Sequence, residues 1–528
     1  MKAIYLSITA FLIFPFGSAF AQVIPGSYSL NQHNNKITKA AASSSIADNG
    51  IGDIITIGDT IWIATNIGVS LSTDNGNTWT SFTKEFNNLS VSAIGYYKGV
   101  FWAALANSFI IDGREDFKGD GLTFSSDLGK SWTYIPQPKD STVDTLVVYG
   151  IDTLYTYPHP TDEEDVVYDI AFTPHAIWIA AWGAGLRRSF DMGKTWQRVV
   201  LPPDYLDSIN PYDTLDFCLS PYISPRCKTG NYNHQLCSIA AVNDSTLYVG
   251  TVNGIDKTSN AESSYPSWVK FNHLNKGNSI SGDWVMQLAY DKLNKTIWAA
   301  TWQGPDQTEK YGVSFSTDGG ASWHATLLGQ KVYNFAFNNS EVIAPSDNGA
   351  FGSEDNGLTW ILPGTIQDEH SRLNLITSAF YSAGFSNNYT WLGSGEGLVR
   401  LQNSGSGMWQ GNWKIFSASA ALKSSGDTYA YPNPFNPAFD ILKIKYSTNG
   451  QSVPVTIRIF DFSMHIIRTV IQNAQRGGTI HSIDDNGGVI DNWDGRNESG
   501  NIVPNGVYFY RVDAGGMKPV YGKILVVH

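Results

Sequence analysis

One short pattern constrains this chain more than any other feature. The sequence S-x-D-x-G-x-[ST]-W occurs at residues 72–79, 125–132, 189–196, 316–323 and 353–360, and two degraded copies end at Trp268 and Trp413. Each position has a chemical reason. An aspartate accepts hydrogen bonds from backbone amides two or more residues on, and the glycine tolerates positive φ. The Ser or Thr hydroxyls bond locally within the turn. The tryptophan that follows opens a strand and supplies a large apolar anchor. Each copy is therefore read as a tight turn between two strands, and irregularly spaced copies predict an array of small β-units.

A second register precedes the turns. The runs 61–65, 101–105, 177–181, 247–251, 297–301, 342–344 and 390–393 are short and apolar, most carry an aromatic near their start, and each is followed by glycine or a loop. They read as buried strands. Another strand, such as residues 53–57, lies before each. Every unit then reads strand A, strand B, strand C, turn, strand D. Seven such units predict an all-β chain built on a seven-bladed β-propeller across residues 50–420.

The repeated turn resembles that of the Asp-box (bacterial neuraminidase repeat) propeller superfamily, which includes sialidases, sortilin-type receptors, xyloglucanases and photosystem-assembly factors. In those families the box is a structural turn away from the active face. The resemblance therefore implies a structural role for Asp74, Asp127, Asp191, Asp318 and Asp355, and it is nearly silent on activity.

Composition narrows the function classes. Only 16% of residues are charged, aromatics make up 13%, and glycine occurs 50 times; about 25% charged residues is typical. Disorder and coiled coils fit neither property. A formal net charge of −12 argues against nucleic acid as a partner. Lys2, an apolar run to Phe16, and small residues at Ala19 and Ala21 read as a signal peptide, residues 1–21, cut before Gln22. Residues 22–49 are expected to be a linker or closure segment. No later stretch approaches the ~18 apolar residues of a membrane span, so no transmembrane segment is expected. The expected location is extracellular or on the outer cell surface. Cys218, Cys227 and Cys237 fall in one loop-like segment together with His234. Two of them pairing as a loop disulfide suits an exported protein. A Cys/His metal site is the alternative, although the spacing matches no common zinc pattern.

The B–C loops and the D–A connections of a propeller open on one face. The B–C loops of blades 2 and 5 are long (residues 107–120 and 303–311), as are two D–A connections (137–165 and 201–236). All four are expected on the same face, where binding is usually grafted onto a rigid scaffold. Trp182 and Trp302 occupy B–C loop positions where other blades have Asn66, Asn253, Asp347 or Glu396. As exposed aromatics they would stack on sugars or anchor a protein; the alternative is that they pack beneath the insertions. Trp182, Trp302, Asp347 and Glu396 are the candidate ligand-binding residues. Asp112, Glu115, Asp116 and the run 162–165 are acidic. They read first as a solvated surface and second as carboxylates for calcium, without a full calcium-loop signature. No other cofactor and no catalytic residue is expected.

Residues 421–430 are a Ser/Ala/Gly linker, and residues 431–528 read as short strands with Pro/Gly turns, an Ig-like β-sandwich. Residues 431–437 (YPNPFNP), 493–500, 506–510 and the final strand resemble the Ig-like domain of the flagellar hook-capping protein, in the form used as a C-terminal sorting domain by type IX secretion cargo. Residues 461–465 depart from that family, which usually has a glycine turn there. The resemblance implies a type IX-like secretion machinery as a partner. Two function classes follow: a non-catalytic binding protein for an extracellular glycan or protein, and an extracellular glycoside hydrolase. Sialidase activity is not expected, because none of the arginines before the linker sits in an Arg-Ile-Pro-like segment. Xyloglucanase-like enzymes place their acids between two propellers, and one is present. A single-propeller hydrolase would use Asp53 and Asp169, which lie on innermost strands beside the central channel.

Overall fold

The structure is a computed structural model. It describes residues 45–528 apart from 112–113, 275–278, 305, 370–373, 419–421, 423, 425, 439–440 and 479–487. The proposed signal peptide, residues 22–44 and Asp112 lie outside the described residues.

Seven antiparallel sheets form a ring. Their innermost strands, A, are Ile51–Ile57, Ser90–Tyr97, Val167–Phe172, Leu236–Ala241, Trp284–Asp291, Ala336–Asn338 and Phe380–Ser386. The B strands beside them are nearly all buried, as in Thr60–Thr65, Ile177–Ala181 and Thr296–Trp302. Continuous apolar runs serve strands covered on both faces by neighbouring blades. Blade 6 retains its fourth strand only as one bridge, Gly352 with Ile361. Blade 4 gains a fifth strand, Ser208–Ile209, from the 201–236 insertion, and this strand covers the blade's outer edge. Part of that insertion therefore lies on the rim rather than on the face. The ring closes where Trp391, Leu398 and Phe416 of blade 7 pack with Ile51, Ile54, Ile61 and Trp79 of blade 1. Ile46 joins this cluster, and the Ala47 amide donates to Ser70 Oγ at 2.8 Å.

All five box turns share one hydrogen-bond set. In the first, Ser72 Oγ donates to Asp74 Oδ1 (2.8 Å) and accepts from the Gly76 amide (2.7 Å). The Thr78 amide and hydroxyl donate to the two carboxylate oxygens at 2.8 and 2.7 Å. Asp127, Asp191, Asp318 and Asp355 repeat the arrangement. These donors stabilise the charged form and hold Asp127, Asp191 and Asp355 down to about 2. The box glycine also packs against the preceding blade. A Cβ on Gly129 would sit 2.3 Å from Phe82 Cζ, and one on Gly357 would sit 2.4 Å from Trp298. The turn thus serves as a contact between blades as well as a strand reversal.

In six blades strand A shifts register just after it starts, as between Ile51 and Asp53 or Val167 and Asp169. Such bulges re-aim the following side chain. After the propeller, two sheets enclose one core. The strands Thr428–Tyr431, Leu442–Tyr446 and Val489–Trp493 face Ile466–Arg476, Val453–Phe460, Gly506–Ala514 and Val520–Val526. Leu442, Ile444, Ile457, Trp493, Tyr510 and Ile524 fill the space between them. Arg476 crosses between the sheets to Asp491 (2.7 Å), which also accepts from Tyr446 Oη (2.6 Å). The departure at residues 461–465 still forms a turn. Met464 takes φ +64, a conformation that favours glycine, and Asp461 Oδ1 accepts from the His465 amide at 2.8 Å. Among the described residues no helix is long and apolar enough to cross a membrane.

Candidate binding face

Three of the four insertions form one superstructure. The B–C loop of blade 2 extends its strands, Val100–Ile111 and Arg114–Ser125, into a two-stranded arm. The arm joins the 137–165 insertion through Gly119 N to Asp162 O and Glu164 N to Phe117 O, both 2.9 Å. That insertion forms a hairpin, Leu146–Tyr149 with Asp152–Thr156, and Cys218–Leu219 of the 201–236 insertion adds to it in parallel. A Cys218–Cys227 disulfide closes the outer loop. Cys237 is free and buried, and its Sγ accepts from Trp284 Nε1 at 3.3 Å. With two thiols in a disulfide, the cysteine and histidine side chains do not assemble as a metal site.

The assembly is anchored to blade 3 by a buried ion pair. Asp140 Oδ1 lies 2.6 Å from Arg187 Nη2, and its other oxygen meets Arg198. Burial alone would raise the Asp140 carboxyl, but the two guanidiniums outweigh it and hold it low. The acidic run is likewise used internally. Asp165 accepts from the Ala184 amide (2.7 Å) and Gln137 Nε2 (3.1 Å), and Glu164 accepts from Tyr222 Oη (3.1 Å). These contacts use Asp165 and Glu164 to hold the insertions together.

Beneath the insertions lies an aromatic floor. Ala106, Tyr168, Trp182, Cys237, Met286 and Trp302 pack with Phe117, Trp284, Tyr311 and Tyr333. Residues from five successive blades can meet this way only near the propeller axis. Trp182 is 7% exposed and Trp302 2%, which corrects the expectation of exposed stacking platforms. Trp302 ends a B strand and does not sit in a loop. Its Nε1 donates to Val332 O at 3.3 Å, and Trp284 bridges it to Trp182 with centroid distances of 6.0 and 6.1 Å. Tyr168 and Trp284 pack against Trp182, and Tyr311 and Tyr333 against Trp302. Asp347 accepts from Tyr333 Oη at 2.5 Å. Glu396 Oε2 accepts from the Ile376 amide (3.2 Å), while its carbonyl accepts from Lys443 Nζ of the C-terminal module at 3.0 Å. The four expected ligand residues are thus not gathered into one open site.

Asp53 and Asp169 do border the channel. Asp53 Oδ1 accepts from Asn334 Nδ2 (3.0 Å) and Asp169 Oδ2 from the Ile239 amide (2.9 Å). Burial raises them to about 6 and about 8, the latter also through the charge of Asp53. Asp169 stitches blade 3 to the adjacent blade 4, and Asp53 links blade 1 to blade 6.

Within residues 201–236 the exposed large side chains are Tyr205 (67%), Tyr212 (82%), Ile223 (76%) and Tyr232 (49%), while the other insertions expose mainly aliphatic side chains such as Ile110, Val143, Leu146 and Ile151. Sequence reasoning missed them because it followed the repeat and the tryptophans. The available signal was the density of tyrosine in residues 201–236.

No family model and no curated protein matches the chain. Among solved structures it is similar to the Niastella koreensis GH74 enzyme, at 14% identity and TM-score 0.50, covering 93% of this chain and 75% of that one. It is also similar to PorZ, a bacterial surface component of the type-IX secretion system of Porphyromonas gingivalis, at 15% identity and TM-score 0.34, covering 91% of this chain. This chain spans 66% of PorZ, just under two thirds of its length. YCF48 from Cyanidioschyzon merolae is a third, at 14% identity and TM-score 0.42, covering 70% of this chain and all of that one. At these identities the likeness is one of fold, and it agrees with the seven sheets described above: the chain is a β-propeller protein.

Proposed function

We propose that this is a secreted or cell-surface binding protein of the Asp-box kind, without catalytic activity, that engages an extracellular glycan or protein through the insertion-bearing face. Export runs through a type IX-like secretion machinery, with the Ig-like C-terminal module as the sorting signal. One observation carries the binding reading: residues 201–236 expose Tyr205, Tyr212 and Tyr232 while the segment itself is held to the scaffold, by the Ser208–Ile209 strand on the edge of blade 4 and by the Cys218–Leu219 strand on the 137–165 hairpin. Rigid, amphipathic aromatics lose little entropy on binding and dominate recognition surfaces. The hydrolase reading has less support. Asp53 and Asp169 form a pair pushed apart in proton affinity, as acid/base pairs require, but both are spent on contacts between blades and lie at an axis capped by the aromatic floor.

The test is binding of residues 22–528 to glycan, polysaccharide and cell-surface protein arrays, repeated with the Tyr205→Ala/Tyr212→Ala double variant. The expected result is a ligand whose affinity falls at least tenfold in the variant. Equal binding by both proteins would refute the tyrosine face, and release of sugar from any glycan by the wild type would refute the non-catalytic reading.

A further inference from the structure

His273, Asp283, Asp306 and Glu309 come from two segments that meet at the insertion face: the connection from blade 4 to blade 5, and the long B–C loop of blade 5. Asp283 holds His273 twice. Its Oδ1 accepts from the His273 amide at 2.7 Å, and its Oδ2 lies 2.6 Å from Nδ1. That contact keeps the proton on Nδ1 and leaves Nε2 as the lone-pair donor, the arrangement in which a carboxylate orients a metal-binding histidine. The imidazole is 9% exposed, Nε2 has no hydrogen-bond partner, and it faces Asp306 Oδ2 at 3.5 Å.

Glu309 completes the group. It is 3% exposed, and its carboxylate receives the amides of Asp283 and Gly304 (both 2.8 Å) and of Asp306 (3.3 Å). One ligand atom from each of His273, Asp283 and Glu309 lies within 4.8 Å of the others. Two largely buried carboxylates, Asp283 and Glu309, and the part-exposed Asp306 surround one imidazole, an excess of negative charge that a cation would offset. The 3.5 Å between Nε2 and Oδ2 is close to the edge of a tetrahedron with bonds of about 2.0–2.1 Å, roughly 3.3–3.4 Å.

We propose that this cluster binds one divalent transition-metal ion of the zinc type, with His273 Nε2 and Asp306 Oδ2 as ligands, Asp283 positioning the imidazole, and Glu309 bracing the B–C loop of blade 5 through its amide contacts. Mixed imidazole and carboxylate ligation favours zinc-like ions over calcium or magnesium, which take oxygen ligands. The ion would tie the B–C loop of blade 5 to the neighbouring connection and so fix the geometry of the insertion face.

The test uses untagged residues 22–528, stripped with chelator and titrated with Zn2+ by calorimetry, and with Co2+ by its visible absorption. The expected result is one equivalent of zinc, not displaced by excess Ca2+ or Mg2+, and a tetrahedral cobalt spectrum. His273→Asn and Asp306→Asn should each weaken zinc at least tenfold, and Asp283→Asn about 10–100-fold through loss of orientation. Near-UV circular dichroism checks folding. If His273→Asn fails to fold, Asp306→Asn decides, since the Asp306 side chain is 42% exposed and its replacement leaves the core intact. No zinc uptake by the wild type, as for an imidazolium simply paired with its acids, would overturn the proposal. So would zinc binding unchanged in Asp306→Asn, or calcium competing on equal terms.

Discussion

Gly129→Ala tests whether the box glycine is required by the turn alone or also by the contact between blades. Gly129 has φ +80, and a Cβ there would lie 2.3 Å from Phe82 Cζ and 2.8 Å from two further ring atoms of the preceding blade. Gly99 is a matched control, with φ +86 and nothing within 4 Å of its Cβ position. An alanine in the left-handed region costs about 1–2 kcal/mol, and this is all that Gly99→Ala should lose. Forcing a methyl into a packed interface adds about 1–3 kcal/mol, so Gly129→Ala should lose about 2–5 kcal/mol. Urea unfolding followed by tryptophan fluorescence measures both. A Phe82→Leu change in the Gly129→Ala background should recover part of the excess, because Phe82 is what the new methyl meets. If the two alanine variants lie within about 0.5 kcal/mol of each other, the contact contributes nothing and the reasoning fails.

The channel carboxyls predict a pH dependence. Asp53 and Asp169 are raised in the folded state, to about 6 and about 8, from an ordinary value of 3.8. Between pH 4 and 8 the unfolded chain therefore binds fewer protons, so their contribution to stability falls as pH rises; Asp169→Asn should unfold at a higher urea concentration relative to wild type at pH 8 than at pH 5. Replacing Cys218 and Cys227 by alanine opens a loop of sequence separation 9 and should cost about 2–3 kcal/mol, read as faster proteolysis within residues 201–236. Arg198→Ala removes one guanidinium from the largely buried Asp140, and breaking such a pair costs about 3–5 kcal/mol; protection of the 137–165 hairpin in hydrogen exchange should fall with it.

Local chemistry made the scaffold legible. Ser72, Asp74, Gly76 and Thr78 satisfy one another within a single turn, the pattern occurs in five full copies, and seven apolar B runs accompany it, so turn, blade and blade count could be read without knowing what packs where. The buried B strands were equally plain, because a strand covered on both faces must be apolar throughout. The fate of Trp182 and Trp302 was open in the sequence, since an indole beside a long insertion is exposed or covered according to where that insertion folds.

Only the tertiary structure decided the contacts between segments distant in the chain. It placed Trp182, Trp284 and Trp302 side by side under the arm of blade 2, paired Cys218 with Cys227 while burying Cys237, and set Lys443 of the C-terminal module against Glu396. It also brought His273 and Asp283 to Asp306 and Glu309. The physical reason is the same in each case. A repeated turn is encoded by neighbours a few bonds apart, whereas a site on a propeller face is assembled from loops of different blades, whose meeting depends on the closure of the whole ring.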